Sequence, residues 1–236
     1  MAEQISSVLD AAKELLVDVV LTLQQSNAEF VIVGGWSPYL LNTSKHVHPG
    51  TKDVDVLFSD DSARGGLGQH IEVLLKNGFM PSAKHDFQLL KPIEVAGQKL
   101  VFNIDLLHPS ETIKNPELLV NQLDLHILDS EIGASKAIRS IVLPSSKILF
   151  EAGFREEFAT VSPLTSKSAR IPLISSAGSI LSKCESVSSS KRKRDSFDIY
   201  ISLLSSGIEN TAKAIAPYKS LDGVNHMAVS NSTCNT

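Results

Sequence analysis

The sequence of 236 residues predicts an α/β (α+β) fold. Apolar residues recur at helical spacing from Ile5 to Leu23 and predict an amphipathic helix over about residues 3–25. Short apolar runs such as "EFVIVGG" and "DVDVLF" predict strands. Near the C-terminus, "SSAGSILSKCESV" and "KRKRDSFDIYISLLSSG" predict two helical segments. We therefore predict a core domain over residues 1–165 and a helical region over residues 166–236.

The elements between these segments follow from glycine, proline and apolar spacing. "WSPYLLN" predicts a helix with Ser37 and Pro38 in its first turn. "SDDSARGGLGQHIEVLLKNGF" predicts a loop and then a helix that ends near Gly78. "HDFQLLKPIEVAGQKLVFNIDLLHP" predicts two strands around the turn "VAGQK". Further short strands are expected over residues 121–165, "TVSPLTSKSAR" is interpreted as a linker, and the tail from about residue 222 as loosely ordered.

Composition narrows the class of protein. Hydrophobic residues make up 42% and charged residues 20% of the chain, which is typical of a soluble globular protein. The net charge of −4 excludes a global positive field, so contact with a nucleic acid needs a local basic patch. The sequence has no apolar run of membrane-spanning length and no signal-peptide pattern at the N-terminus. With only Cys184 and Cys234, we expect a cytoplasmic protein with no membrane partner.

Three acids in predicted strands carry the functional prediction. Asp53 and Asp55 are two residues apart, so in a strand both carboxylates point to one face, while Val54 and Val56 point to the core. Close carboxylates repel unless a cation lies between them, and Mg²⁺ prefers such oxygen ligands. Asp105, in "VFNIDLLH", is the candidate third ligand. Two metals held in this way stabilise the attacking and leaving oxygens of a phosphoryl displacement.

A glycine pair precedes the acids. Gly34 and Gly35 lie between a predicted strand and a predicted helix, where backbone N–H groups can approach a phosphate, and Ser37 offers a hydroxyl. Taken singly, the glycine pair is often only a turn, and D-x-D is often a solvated edge strand. The ordered set of a glycine pair, T-x-D-h-D-h and a later h-D-h is much less expected by accident. The set therefore favours a phosphate and metal site.

At these residues the sequence resembles a known superfamily. "VGGW" followed by "TKDVDVLF" is similar to the glycine pair and D-x-D of the nucleotidyltransferases typified by DNA polymerase beta, and within them to the AbiEii-type toxins and related bacterial proteins. "IPLISSAGSILSKCESVSSSKRKRDSFDIYISLL" is similar to the later motif of that family, which here comprises Lys183, Arg194, Asp195, Asp198 and Tyr200. The resemblance covers about residues 30–205. The sequence departs from the pattern in the 17 residues between Gly35 and Asp53, in Gly35 itself and in the lack of a clear final lysine motif.

The resemblance implies a polymerase-beta-like mixed sheet flanked by helices, with a helical C-terminal part. It also implies transfer of NMP from an NTP to an acceptor hydroxyl with Mg²⁺ or Mn²⁺. The implied acceptors are tRNA or another RNA, a protein side chain or a small molecule, and a cognate antitoxin is an implied partner. Asp53, Asp55 and Asp105 would be the catalytic metal ligands, or Asp105 the base. The alternatives are a catalytically inactive module that binds nucleotide or antitoxin, and a purely structural protein.

The C-terminal motif has two interpretations. Arg194, Asp195 and Asp198 can share a helix face, either as surface ion pairs or as groups that, with Lys183, bind the nucleotide. "KRKR" also resembles a nuclear-localisation run or a local RNA or DNA phosphate contact.

Three ring side chains before the acids have simpler interpretations. An H-x-H pair such as His46 and His48 can bind metal, but without further ligands we expect both in a solvated loop. Trp36 is expected to be a packing residue rather than a base-stacking platform.

Overall fold

The computed structural model describes residues 5–109, 117–118, 138–143, 146–184, 186 and 193–218. Its strands are β1 (Phe30–Val33), β2 (Val54–Phe58), β3 (Met80–Pro81), β4 (Gln88–Val95), β5 (Gln98–Pro109), β6 (Glu117–Leu118), β7 (Ile138–Arg139), β8 (Ile141–Leu143), β9 (Arg155–Val161) and β10 (Ser168–Ile174). Its α-helices are α1 (Val8–Gln24), α2 (Trp36–Leu40), α3 (Asp60–Lys76), α4 (Ser176–Cys184), α5 (Lys193–Ser206) and α6 (Ile208–Ile215). Short 3₁₀ turns lie at Ser146–Phe150 and Ala216–Tyr218.

One mixed sheet organises these elements. Its strand order is β3-β4-β5-β2-β1-β10-β9, and β8 adds to β5. The strand β2 pairs antiparallel with β1 and parallel with β5, while β1 pairs parallel with β10. The start of β2 and the ends of β1 and β10 therefore meet at one edge of the sheet. In the described part of the chain, β6 and β7 form a separate two-stranded ladder.

Apolar side chains cover both faces of the sheet. On one face, buried residues of α1 and α3, such as Leu15 and Leu74, pack against alternate strand residues such as Val56. On the other face, Leu181 of α4 and Leu149 of the first 3₁₀ turn pack against Val31 and Leu57. The predicted α/β class, a mixed sheet flanked by helices with a helical C-terminal part, is confirmed. No helix in these described ranges is long and apolar enough to cross a membrane.

Two predictions about local structure were wrong. The helix α3 begins at Asp60 rather than after a loop, because the Ser59 hydroxyl caps it by accepting from the Ser62 N–H; the expected irregularity remains as a kink at Gly66. The predicted linker is the turn of an antiparallel hairpin between β9 and β10, with Ala169 opposite Thr160.

The remaining predictions concern the domain boundary, one strand and the C-terminal tail. The proposed boundary between residues 165 and 166 falls in this hairpin turn. A strand expected within residues 123–130 and the loosely ordered tail lie outside the described residues.

Candidate active site

The register of two parallel strands brings the predicted acids to one face. Asp55 of β2 lies directly opposite Asp105 of β5, so their side chains point to the same side of the sheet. Val54 and Val56 point to the other side and are fully buried, as expected. Asp53 lies one residue before β2 and therefore precedes Asp55 on the same face. The structure thus brings all three acids to adjacent positions at one sheet edge.

Two amides that the sequence analysis missed hold Asp105. Gln88 Nε2 and Asn103 Nδ2 both donate to Asp105 Oδ1, at 2.8 Å and 3.1 Å. Gln88 is directly opposite Asp105 in the antiparallel β4–β5 pair, and Asn103 is two residues before it on the same face. The alternation of "NID" is a signal that predicts the Asn103 contact. Both amides bond to Oδ1, so neither of them occupies Oδ2.

The acids influence one another electrostatically. Burial of its carboxyl group raises the pKa of Asp53, and the negative charge of Asp105 raises it further. The residue as a whole is exposed, so this crowding is confined to the carboxyl end. Lys52, Arg194 and a hydrogen bond with Asn103 partly offset the rise. A carboxylate beside another carboxylate is a position where a cation gains binding energy.

The donor types and the register fit a divalent cation, but the side chains are not gathered around one point. Among the described residues, no group of three or more His, Cys, Asp or Glu side chains is arranged to hold a metal ion. Asp105 is turned toward Gln88 and Asn103. Oxygen ligands on adjacent strands are the chemistry that Mg²⁺ or Mn²⁺ requires. Asp53, Asp55 and Asp105 are the residues that would hold such an ion.

Gly34 makes room for Asp55. It has a left-handed φ of +74°, and a Cβ atom at this position would lie 1.9 Å from Asp55 Oδ2. At Gly35, a Cβ atom would lie 3.1 Å from Thr51 Cβ and 3.3 Å from Arg194 Nη2. The glycine pair therefore allows the backbone to approach both an acid and a guanidinium group. A side chain at either position would crowd these neighbours.

The residues after the glycines fix this backbone. Trp36 is fully buried, as predicted for a packing residue, and its Nε1 donates to the Asp53 carbonyl at 2.9 Å. The hydroxyl of Ser37, also fully buried, donates to the Ile174 carbonyl at 2.7 Å. These two bonds tie α2 to the start of β2 and to the end of β10.

The C-terminal motif forms a buried ion cluster. Lys183 Nζ lies 3.1 Å from Asp195 Oδ1 and 2.8 Å from Asp198 Oδ2, and all three side chains are at most one-tenth exposed. The Ser186 hydroxyl donates to Asp195 Oδ2 at 2.5 Å. The interpretation as surface ion pairs was therefore wrong for the two acids. Its physical reason is that α4 packs against α5 and covers this helix face.

His48 joins this cluster from the long segment before the acids. Its Nε2 lies 2.9 Å from Asp198 Oδ1, and its Nδ1 accepts from the Gly50 N–H at 3.1 Å. Since Nδ1 is an acceptor, Nε2 carries the proton and donates to Asp198. The expectation of a solvated loop was wrong for His48, which is buried, whereas His46 is exposed.

Asp198 is held ionised by these partners. Burial alone would raise its pKa, but the hydrogen bond from His48, together with the charge and the hydrogen bond of Lys183, outweighs burial and holds the pKa below its usual range. The motif therefore anchors the segment between the glycines and the acids.

Arg194 is the member of the motif that reaches the site. Its Nη2 donates to the Gly50 carbonyl, and its Nε lies 3.8 Å from Asp198 Oδ1. Its side chain is nearly half exposed, and its charge lowers the pKa of Asp53. Arg194 thus faces the glycine pair and the acids, while Lys183, Asp195 and Asp198 lie behind it.

The chain has little likeness in sequence to known proteins. No protein family model matches it, and no curated protein matches it. The chain is similar to the solution structure of the antibiotic-resistance factor ANT(2'')-Ia, with a TM-score of 0.44 and 16% identity over 96% of this chain and 100% of that chain. It is also similar to an antigenic nucleotidyltransferase-like protein from Paracoccidioides brasiliensis, with a TM-score of 0.41 and 14% identity over 98% of this chain and 95% of that chain. Likeness at this level carries no argument about function, so the functional conclusion rests on the residues of the site.

Proposed function

We propose that this protein is a metal-dependent nucleotidyltransferase that moves NMP from an NTP to an acceptor hydroxyl. The observation that carries the proposal is the register that places Asp55 opposite Asp105. Gly34, which follows β1, lies against the Asp55 carboxylate. An acid pair next to a glycine turn is the arrangement that phosphoryl transfer uses, because it joins cation ligands to a place for phosphate. The motif resemblance supports the same assignment.

In the proposed reaction, the acceptor oxygen forms a bond to the α-phosphorus, and the bond from that phosphorus to the bridging oxygen breaks. Pyrophosphate leaves, and the acceptor gives up its proton. Asp105 takes that proton at Oδ2 or serves as the third ligand, while Gln88 and Asn103 orient its Oδ1. Asp53, Asp55 and Asp105 would hold a divalent cation, which would neutralise charge that develops on the phosphate.

The nucleotide is proposed to lie over the glycine pair. Gly34 and Gly35 bring the backbone close to the phosphates, and the half-exposed Arg194 offers a guanidinium group to them. Four buried residues support the proposed nucleotide site indirectly, by anchoring its backbone: Ser37, Lys183, Asp195 and Asp198. Their side-chain bonds hold α2, α4, α5 and the segment before Asp53 in place.

The test is transfer of label from each α-labelled NTP. The protein is incubated with Mg²⁺ or Mn²⁺ and with total RNA, a protein extract or a mixture of small hydroxyl compounds. We expect label in one acceptor class and none with the Asp53→Asn, Asp55→Asn double variant, whose fold is checked by circular dichroism. Equal labelling by that variant, or no labelling in any arm, would contradict the proposal.

A second candidate is a module that binds NTP without turnover. It is favoured by the absence of a ready three-ligand group among the described residues. Calorimetry with Mg²⁺ and each NTP separates the two, because the module binds without consuming the nucleotide.

A role as the toxin of a toxin–antitoxin pair is a narrower form of the first proposal. It predicts growth arrest on expression that depends on Asp55. Normal growth with high levels of active protein would contradict the toxin role alone.

A further inference from the structure

A small pocket lies beside the acids, on the side away from the glycines. It has a volume of about 180 Å³ and is walled by Gln88 and Asn103, with Leu90 and Val101 among its lining residues. Gln88 and Asn103 are the two residues whose amides bind Asp105, so the pocket and Asp105 share a wall. Leu90 lies opposite Asn103 in the β4–β5 pair, which puts the pocket on the same sheet face as Asp105.

Strand order fixes how this pocket relates to the proposed nucleotide site. The pocket lies on β4 and β5, the acids on β5 and β2, and Gly34 follows β1. At a strand spacing of about 4.8 Å, β4 and β1 are roughly 14 Å apart with the acids between them. In phosphoryl transfer the attacking and leaving oxygens lie in line on opposite sides of the phosphorus. A nucleotide over the glycines therefore leaves the pocket side to the acceptor.

The charges at the pocket select the acceptor's chemistry. Its rim carries Lys84, which is exposed, and His85, and none of its lining residues is a carboxylate. The nearby Asp86 is paired with Arg139, whose Nε lies 3.3 Å from the Asp86 carboxylate. A phosphate is attracted to the Lys84 ammonium group on this rim. The rim thus carries one local positive charge that a backbone phosphate can contact.

A ring pair beside the pocket offers a surface for a base. The rings of His85 and Phe87 stack at a centroid distance of 5.3 Å with an interplanar angle of 28°, and both residues are half-buried. Unpaired bases stack on such rings without regard to sequence. Lysine for phosphate and rings for bases are the two components of single-strand binding sites.

The loop that carries these groups is fixed before any ligand arrives. The hydroxyl of buried Ser82 accepts from the backbone N–H groups of Lys84 and His85, both at 3.2 Å. The Ser82 N–H donates to the Gln88 carbonyl at 3.0 Å. The side chains of Lys84 and His85 take no part in these bonds, so both can be changed while the loop keeps its shape.

From these observations we propose that the pocket lined by Lys84, His85, Gln88 and Asn103 binds the 3′ end of a single-stranded polynucleotide as the acceptor. This inference rests on the proposed nucleotidyltransferase function and names its acceptor class. Lys84 contacts a backbone phosphate, the His85–Phe87 pair stacks a base, and the terminal hydroxyl lies toward Asp105.

The test measures binding of fluorescein-labelled RNA and DNA 12-mers of one sequence by fluorescence anisotropy, across a range of salt concentrations. We expect Lys84→Glu to weaken binding about tenfold or more and to reduce the slope of log affinity against log salt by about 0.7, the loss of one phosphate contact. We expect His85→Ala to weaken binding about tenfold through lost stacking. The two arms show which sugar the site accepts.

Lys99→Glu is the matched control. Lys99 is exposed on the same face of β5, near the β4–β5 turn and away from Asp105, and its change should alter affinity less than about twofold. Absence of binding to both oligonucleotides, or equal losses in Lys84→Glu and Lys99→Glu, would overturn the inference. NTP binding and label transfer by the wild-type protein, measured in parallel, report on the proposed function separately. Label that moves to a protein or an aminoglycoside would overturn the inference and leave the transferase proposal standing.

Discussion

His48 Nε2 donates to Asp198 Oδ1 at 2.9 Å, across 150 residues of sequence, and both side chains are almost completely buried. The bond joins the segment before the acids to α5. Asp198 also forms an ion pair with Lys183 of α4, so one carboxylate connects three parts of the chain. Burial of charge on this scale is stable only when every partner is present.

Asp198→Asn should therefore destabilise the protein strongly. The change leaves the Lys183 ammonium with Asp195 as its remaining carboxylate partner in the cluster. Breaking a buried pair of this kind costs about 3 kcal/mol in the free energy of unfolding. Urea denaturation followed by circular dichroism measures the loss.

Glu157→Gln is the control for that variant. Glu157 pairs with Arg170 at 3.5 Å on the surface, and both side chains are mostly exposed. Surface pairs of this type contribute less than about 1 kcal/mol. A similar loss in both variants would show that the cluster has no special role in stability.

The lowered pKa of Asp198 should also make the fold less stable in acid. Its pKa in the folded state is below the usual value of 3.8, because His48 and Lys183 outweigh the effect of burial. A depressed carboxyl pKa contributes stability that is fully present above the unfolded value and is lost as the pH falls through the folded value. The titratable and charged groups that face Asp198 are His48, Lys183 and Arg194. The free energy of unfolding should fall less steeply below about pH 4 in Asp198→Asn than in the wild type, and parallel curves would contradict this assignment.

The orientation of the acids could be predicted from the sequence because its signal is local. Alternation around Val54 and Val56 predicted which face Asp55 takes, and that face is the one observed. Pairing of Asp55 with Asp105 depends on β2 and β5 being parallel neighbours, which no local pattern encodes. The burial of His48 was not predicted for the same reason, because its partner Asp198 lies on a helix that is distant in sequence. The polar residues of the β9–β10 turn resemble a linker, since a hairpin turn and a linker share their composition.

Asp53→Asn should abolish transfer without destabilising the fold. Burial of the carboxyl group, followed by the charge of Asp105, raises the pKa of Asp53 above 3.8, so the unfolded chain gives up this proton more readily than the folded one. The ionised carboxylate therefore lowers the free energy of unfolding as the pH rises through the unfolded pKa, and the full loss is present above the folded pKa. At pH 7 the free energy of unfolding of the variant should equal that of the wild type or exceed it. The excess should be less than about 1 kcal/mol, because the residue is exposed.

Addition of Mg²⁺ should make the wild type more stable than Asp53→Asn. A cation bound by the acids stabilises the folded state by mass action, so the Tm of the wild type should rise with Mg²⁺ concentration while that of Asp53→Asn stays nearly constant. Thermal denaturation at pH 7 with and without Mg²⁺ measures both effects. An equal rise in the two proteins would place the cation elsewhere.

Gly34→Ala tests the contact between the glycine turn and the acids. The added Cβ would lie 1.9 Å from Asp55 Oδ2, so the carboxylate has to rotate away from its place opposite Asp105. Gly97→Ala is a matched control, because Gly97 has a similar φ of +81° but no atom within 4 Å of the added Cβ. Both variants pay the left-handed backbone cost of about 1–2 kcal/mol. Only Gly34→Ala should also lose transfer and the Mg²⁺-dependent rise in Tm, because only there is a ligand displaced; retention of both would show that Asp55 does not depend on this glycine for its position.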